Sequence, residues 1–179
     1  MKTTDLLDLG NLPEKLDKFS IALTLANISD PKQPLIYMNS AFEKLTGYGG
    51  DMIGQNCRFL QGEEDNEQAR AEIRLAIEER RRTQVVLKNV RANGEVFFNM
   101  LILLPNGEYE GLPDMMLGTQ IDIGDHAPGS ETDIDSDYPR DSAAAARHRS
   151  FQLQVERRRV TAEAALRLTQ SWCALRSHQ

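Results

Sequence analysis

Cysteine is almost missing from this chain: Cys57 and Cys173 are the only two among 179 residues. That excludes the disulfide framework on which small secreted domains depend. Histidine is nearly as scarce. His126, His148 and His178 fall late and scattered, which leaves no clustered ligand set for zinc, and no metal is expected. No apolar run approaches the length needed to span a bilayer. The opening MKTTDLLDLG is acidic and short of apolar length, so it does not read as a signal peptide, and a cytoplasmic protein without membrane contact is expected. A glycine-rich dinucleotide turn and a C-x-x-C pair are missing too, which weighs against nicotinamide and dithiol chemistry.

Charge is present, but unevenly. The net charge of −6 combines a strongly acidic stretch over residues 1–140 with a basic tail. That tail, residues 141–179, carries seven arginines, no lysine and three acids (Asp141, Glu156 and Glu163). Opposite signs on two segments suit docking of one on the other, or a tail that meets an acidic partner.

Periodicity divides the chain into four parts. Residues 1–20 form an N-terminal helical cap, with Leu12, Leu16 and Phe19 on one side and Pro13 in the first turn. Residues 21–123 read as a small α+β domain. IALTLANI and LIYMN are strands joined by a turn marked by Asp30-Pro31 and Gln33-Pro34. Ser40 is a candidate cap for the helix AFEKLTGY, which Gly47, Gly49 and Gly50 break. NEQARAEIRLAIEER at 66–80 predicts a helix with Ala69, Ile73, Ala76 and Ile77 on one face. TQVVLKNVRA and EVFFNMLILL, joined by Asn93-Gly94, predict a hairpin, and MMLGTQIDI the last strand. Five antiparallel strands with short helices result. Residues 124–140 read as an acidic linker. Residues 141–179 read as a helical extension, one helix or two with a break near Ser150. Its apolar stripe is Val160, Ala164, Leu168, Trp172 and Leu175, with Phe151, Val155, Ala162 and Leu166 beside it.

Within this plan, GQNCRFLQG at 54–62 places one cysteine in a polar, glycine-bracketed turn. The order of elements is that of a PAS domain, and this stretch resembles the signature of the light-oxygen-voltage (LOV) class, a family of blue-light receptors that bind a flavin. EIRLAI at 72–77, the Asn89 to Asn99 hairpin and GTQIDI at 118–123 agree with it in the right order. The resemblance covers about residues 21–123 and implies a PAS/LOV fold. It implies that Cys57 bonds reversibly to the flavin C4a carbon after blue light is absorbed. It assigns Arg58 and Arg74 to the phosphate, Asn56 and Gln61 to the ribityl chain, and Asn89 and Asn99 to the pyrimidine edge. Gln120 falls near N5 and O4, where an amide can turn over and rewrite the hydrogen bonds of the last strand. Two guanidinium forks suit a terminal monophosphate, so flavin mononucleotide (FMN) is the expected cofactor ahead of FAD or riboflavin. Met116, Thr119 and Gln55 depart from residues common in the family.

The resemblance leaves the output open. The tail is too short for a kinase catalytic domain, and a non-enzymatic protein is expected. Its signal would pass through Gln120 to the terminal helices and change homodimer association or the binding of a downstream protein. His148 reads as a solvated side chain and Cys173 as a packed one. Two alternatives stand beside this. One is a flavin redox sensor or flavoprotein that uses Cys57 in thiol chemistry. The other is light-regulated nucleic-acid binding through Arg147, Arg149, Arg157, Arg158, Arg159 and Arg167, disfavoured because aromatic residues do not interleave with the arginines.

Overall fold

The computed structural model describes residues 7–124 and 143–177; the acidic linker expected over residues 124–140 lies almost wholly outside them. A short helix α1 (Leu12–Leu16) precedes strands β1 (Ala22–Asn27) and β2 (Leu35–Met38). Helix α2 (Ser40–Thr46), two 3-10 turns (Gly50–Met52 and Cys57–Gln61) and helix α3 (Glu67–Glu78) come next. Strands β3 (Thr83–Val90), β4 (Val96–Pro105) and β5 (Met115–Asp122) complete the domain, and helix α4 (Ala143–Arg176) follows. The strands form one antiparallel sheet in the order β2-β1-β5-β4-β3. The last strand therefore lies in the middle.

Helix α2 is capped by Asn39 rather than by Ser40. The Asn39 Oδ1 accepts from the Phe42 N–H at 3.0 Å and from the Leu23 N–H at 2.9 Å, so one side chain starts the helix and ties it to β1. Its end is the expected one, with Gly47 at φ +75°. Helix α3 is held over the sheet from its first turn. Asn66 donates to the Lys88 carbonyl and accepts from the Lys88 N–H, both at 2.8 Å, and so pairs with the edge strand β3.

The period of two along the strands separates two layers. Leu117 and Ile121 of β5, with Leu23, Leu25, Met100, Ile102 and Leu104, join α1 and α4 in one core. Their neighbours in sequence face the opposite layer, under α2, the 3-10 turns and α3. Every residue of β5 from Met115 to Ile121 is buried, because the strand is covered on both faces.

Helix α4 is a single helix through Ser150. Its buried side carries Val155, Ala162, Ala165, Leu166, Thr169, Trp172 and Cys173. The stripe expected from spacing is thus buried only in part, with Leu168 and Trp172 packed in the core. Val160 is 64% exposed and Leu175 71%, while Trp172 and the neighbouring stripe are packed on the sheet. Apolar residues occur all round this helix, so spacing alone does not select its buried face; Ala162, Ala165 and Thr169 do, because short side chains let the helix approach the sheet closely. The C-terminal end is pinned further. Asn106 donates to the Cys173 sulfur at 3.0 Å, and Arg176 bonds the Asp8 carbonyl at 2.7 Å while lying over the Trp172 ring.

Candidate functional site

Between the sheet and the 3-10 turns lies a cavity of about 690 Å³ including its open mouth. Leu60, Ile73, Ile77, Leu87, Leu101, Leu103 and Met116 give it apolar walls. Asn89, Asn99 and Gln120 bring amides to the sheet side, and Asn56, Cys57, Arg58 and Gln61 come from the motif turn. A flat, largely apolar ring with a hydrogen-bonding edge suits such walls.

The motif turn holds its shape through Asn56. Its Oδ1 accepts from the Arg58 N–H at 3.0 Å and caps the 3-10 turn, and its Nδ2 donates to the Lys32 carbonyl at 2.8 Å. Asn56 thus has a structural duty beside the ribityl contact that the resemblance implies. Gly62 closes the turn at φ +53°, and a Cβ there would stand 3.0 Å from Val90 Cγ2, so only glycine lets the motif lie this close to β3. Phe59 packs edge-on against Tyr48 at 5.0 Å and fixes the turn from its outer side.

Cys57 follows the cap directly. It is partly exposed at the cavity wall, yet protein atoms surround its sulfur, and desolvation pushes the thiol up to about 12. At neutral pH it is a thiol. Thiol–disulfide chemistry runs through the thiolate, so this environment disfavours the redox alternative. In the dark at pH 8, iodoacetamide is expected to alkylate Cys57 roughly fiftyfold more slowly than an ordinary cysteine, since the loss of thiolate outweighs its greater basicity. Peptide mass mapping over time measures this, and alkylation at the rate of the denatured chain would contradict the buried-thiol assignment.

Asn89 and Asn99 are both 1% exposed and bond each other. The Asn99 Nδ2 donates to Asn89 Oδ1 at 2.8 Å, Asn89 Nδ2 donates to the Lys88 carbonyl, and Asn99 Oδ1 accepts from the Ile121 N–H at 3.0 Å. Their burial is therefore satisfied within the protein, and one amide chain runs from β5 across β4 to β3. Each retains an unused donor or acceptor for a ligand edge. Gln120 differs: its Nε2 reaches Thr24 Oγ1 at 3.2 Å, but its Oε1 is buried with no partner among the described residues. An orphaned acceptor at a cavity wall is the kind of group that a polar ligand satisfies.

Seven of the eight expected site residues line this one cavity; Arg74 does not. It is exposed on α3, one position after the lining residue Ile73. Arg58 is likewise exposed at the mouth. Among the departures, Met116 lines the cavity, whereas Thr119 faces the other layer and Gln55 is exposed. Residues missed in the sequence are Thr24 and Gly118. A step of two back along β5 from Gln120 reaches Gly118, and a step of two forward along β1 from its register partner Ala22 reaches Thr24.

A PAS domain model matches residues 21–124. The solved LOV protein of Rhodobacter sphaeroides is 39% identical, covers 90% of this chain and 94% of its own, and superposes with a TM-score of 0.60. The chain belongs to the PAS family, in its LOV class. Among curated proteins, this LOV chain is 36% identical over 124 residues to blue-light-activated histidine kinase 2 of Erythrobacter litoralis, matching 68% of the chain and 36% of the kinase. It is 40% identical over 113 residues to the bacterioopsin transcriptional activator of Halobacterium salinarum, 63% of the chain and 17% of the activator. The LOV chain thus spans well under half the length of these curated relatives. Among the described residues, no helix is long and apolar enough to cross a membrane.

Proposed function

We propose that this LOV protein is a blue-light photoreceptor that holds FMN in the cavity and signals through β5 to α4, without catalysing turnover of a substrate. What carries the reading is that Cys57, a thiol at neutral pH, lines the same cavity as the side-chain amides of Asn89, Asn99 and Gln120. Asn89 and Asn99 would hold the hydrogen-bonding edge of the ring, with Asn56 and Gln61 along the ribityl chain. Arg58 and Arg74 stand at the exposed side, where guanidinium groups meet a phosphate without burial of charge. When bound, the flavin supplies blue-light absorption and, once excited, an electrophilic ring carbon.

The protein's part follows from its side chains. With the flavin bound, Cys57 would supply the sulfur for a bond to that carbon and its S–H proton for the ring nitrogen, and both would return in the dark. A thiol kept protonated brings that proton with it. Gln120 would then face a donor where an acceptor stood, and its amide would answer by presenting oxygen in place of nitrogen. Ile121 next to it and Leu117 farther along the strand lie in the core with α4, so a shift of β5 reaches that helix without a relay. We place the response in homodimer association or in a face opened to a downstream protein, in the cytoplasm, where two unpaired cysteines suit a reducing compartment.

An absorption spectrum before and after a blue flash tests this. The expected protein is yellow, bleaches and recovers in the dark; one that stays colourless when flavin is supplied would sink the reading. Gln120→Leu is expected to keep the bleaching and to shrink the light-induced change in hydrogen exchange along β5 and α4. A response of full size would refute the route through Gln120.

A further inference from the structure

Thr24 lies on β1 opposite Gly118 of β5, is 4% exposed, and has its hydroxyl at the cavity wall. That hydroxyl accepts from the Gln120 Nε2 at 3.2 Å and donates to the Gly118 carbonyl at 3.4 Å. Its single proton is thereby directed toward Gly118, over a long contact. Were the Gln120 amide turned over, its Oε1 would need a donor, and the hydroxyl would have to leave Gly118 to provide one. The protein's own hydrogen bonds therefore favour one orientation, with nitrogen on Thr24 and the oxygen left over for a ligand. Gly118 makes room for this pair: a Cβ there would stand 2.6 Å from Thr24 Oγ1 and 3.2 Å from Gln120 Nε2.

We propose that Thr24 is the positioning residue that sets the orientation of the Gln120 amide, and that it holds the form presenting an acceptor to the ligand. The inference rests on the reading that a flavin occupies the cavity and that Gln120 meets its ring. The oxidised ring offers acceptors at N5 and O4, and only after N5 takes a proton does it offer a donor there. Thr24 accordingly favours the illuminated state, and resting flavin binds against that preference. Loss of its hydroxyl should shorten the life of the illuminated state.

The test compares Thr24→Val, which keeps the shape and loses the hydroxyl, with Thr24→Ser, which keeps the hydroxyl. Thr24→Ser should bind flavin as the parent does, whereas Thr24→Val should hold resting flavin more tightly, because the opposing preference is gone; flash bleaching should persist in both. Dark recovery is expected to be about fivefold faster in Thr24→Val, the worth of one ordinary hydrogen bond, and at the parent rate in Thr24→Ser. The side-chain amide resonance of Gln120, assigned by its loss in Gln120→Leu, should move in the 15N spectrum of Thr24→Val in the dark and return in Thr24→Ser. Parent-like recovery in Thr24→Val, an unmoved amide resonance, or a serine variant that tracks valine would each overturn the proposal. Should the valine variant not fold, Thr24→Ala gives the same two readouts. If the parent neither binds flavin nor bleaches, the flavin reading fails, while the amide resonance still decides whether Thr24 orients Gln120.

Discussion

Replacing Cys57 by alanine should leave a yellow protein that no longer bleaches reversibly. The substitution removes one sulfur from the cavity wall and leaves the turn intact, because the cap is made by Asn56 and the apolar anchors are Phe59 and Leu60. Flavin affinity should therefore change little, while the slow absorbance recovery disappears entirely. Serine at the same position separates nucleophile from polarity: its oxygen bonds hydrogen as well as sulfur does but is neither polarizable nor comparably nucleophilic, so Cys57→Ser should behave as alanine does. Flash absorbance at the blue band measures both. Persistent bleaching and recovery in Cys57→Ala would mean that another group reacts, since Cys173 is buried in the other layer beside Asn106.

The second large effect concerns α4. Trp172 is 7% exposed, packs in the sheet's helical core, and carries the Arg176 guanidinium over its ring. Trp172→Ala should cost about 3–5 kcal/mol of stability, the usual range for an emptied aromatic site. Urea unfolding followed by circular dichroism measures it as a lower midpoint. Leu175→Ala, three positions on and 71% exposed, should stay within about 0.5 kcal/mol of the parent. Equal losses for the two would mean that α4 is docked by the face that spacing suggests rather than by the one described here.

That contrast shows what the sequence could reveal. Strands and turns were legible where local chemistry dictates them: Asn93-Gly94 between two alternating runs leaves little but a hairpin, and Gly47 in the left-handed region ends α2. The cavity was legible through Cys57, Asn89, Asn99 and Gln120, polar residues set among strand formers. Helix α4 was not, because Leu153, Val160 and Leu175 are exposed while small Ala162, Ala165 and Thr169 are buried. Its docking depends on closeness of approach, which hydropathy does not encode. Thr24 stayed hidden for a related reason. A threonine in an alternating strand reads as solvent-facing until the topology brings β5 alongside β1. Asn39 and Ser40 are adjacent residues of equal capping ability, and only the added bond to Leu23 decides between them.

The double burial of β5 carries a consequence for anyone who edits this chain. Odd positions of the strand fill one compartment and even positions the other, so the strand is a two-channel tape whose parity must be conserved. Deleting a single residue inside β5, at Gly118 for example, would turn one part of the strand over and carry Thr119 toward the cavity and Gln120 toward α4, exchanging sensor and output surfaces in one step. Deleting one from the loop 106–114 would leave the parity intact and merely shorten the connection.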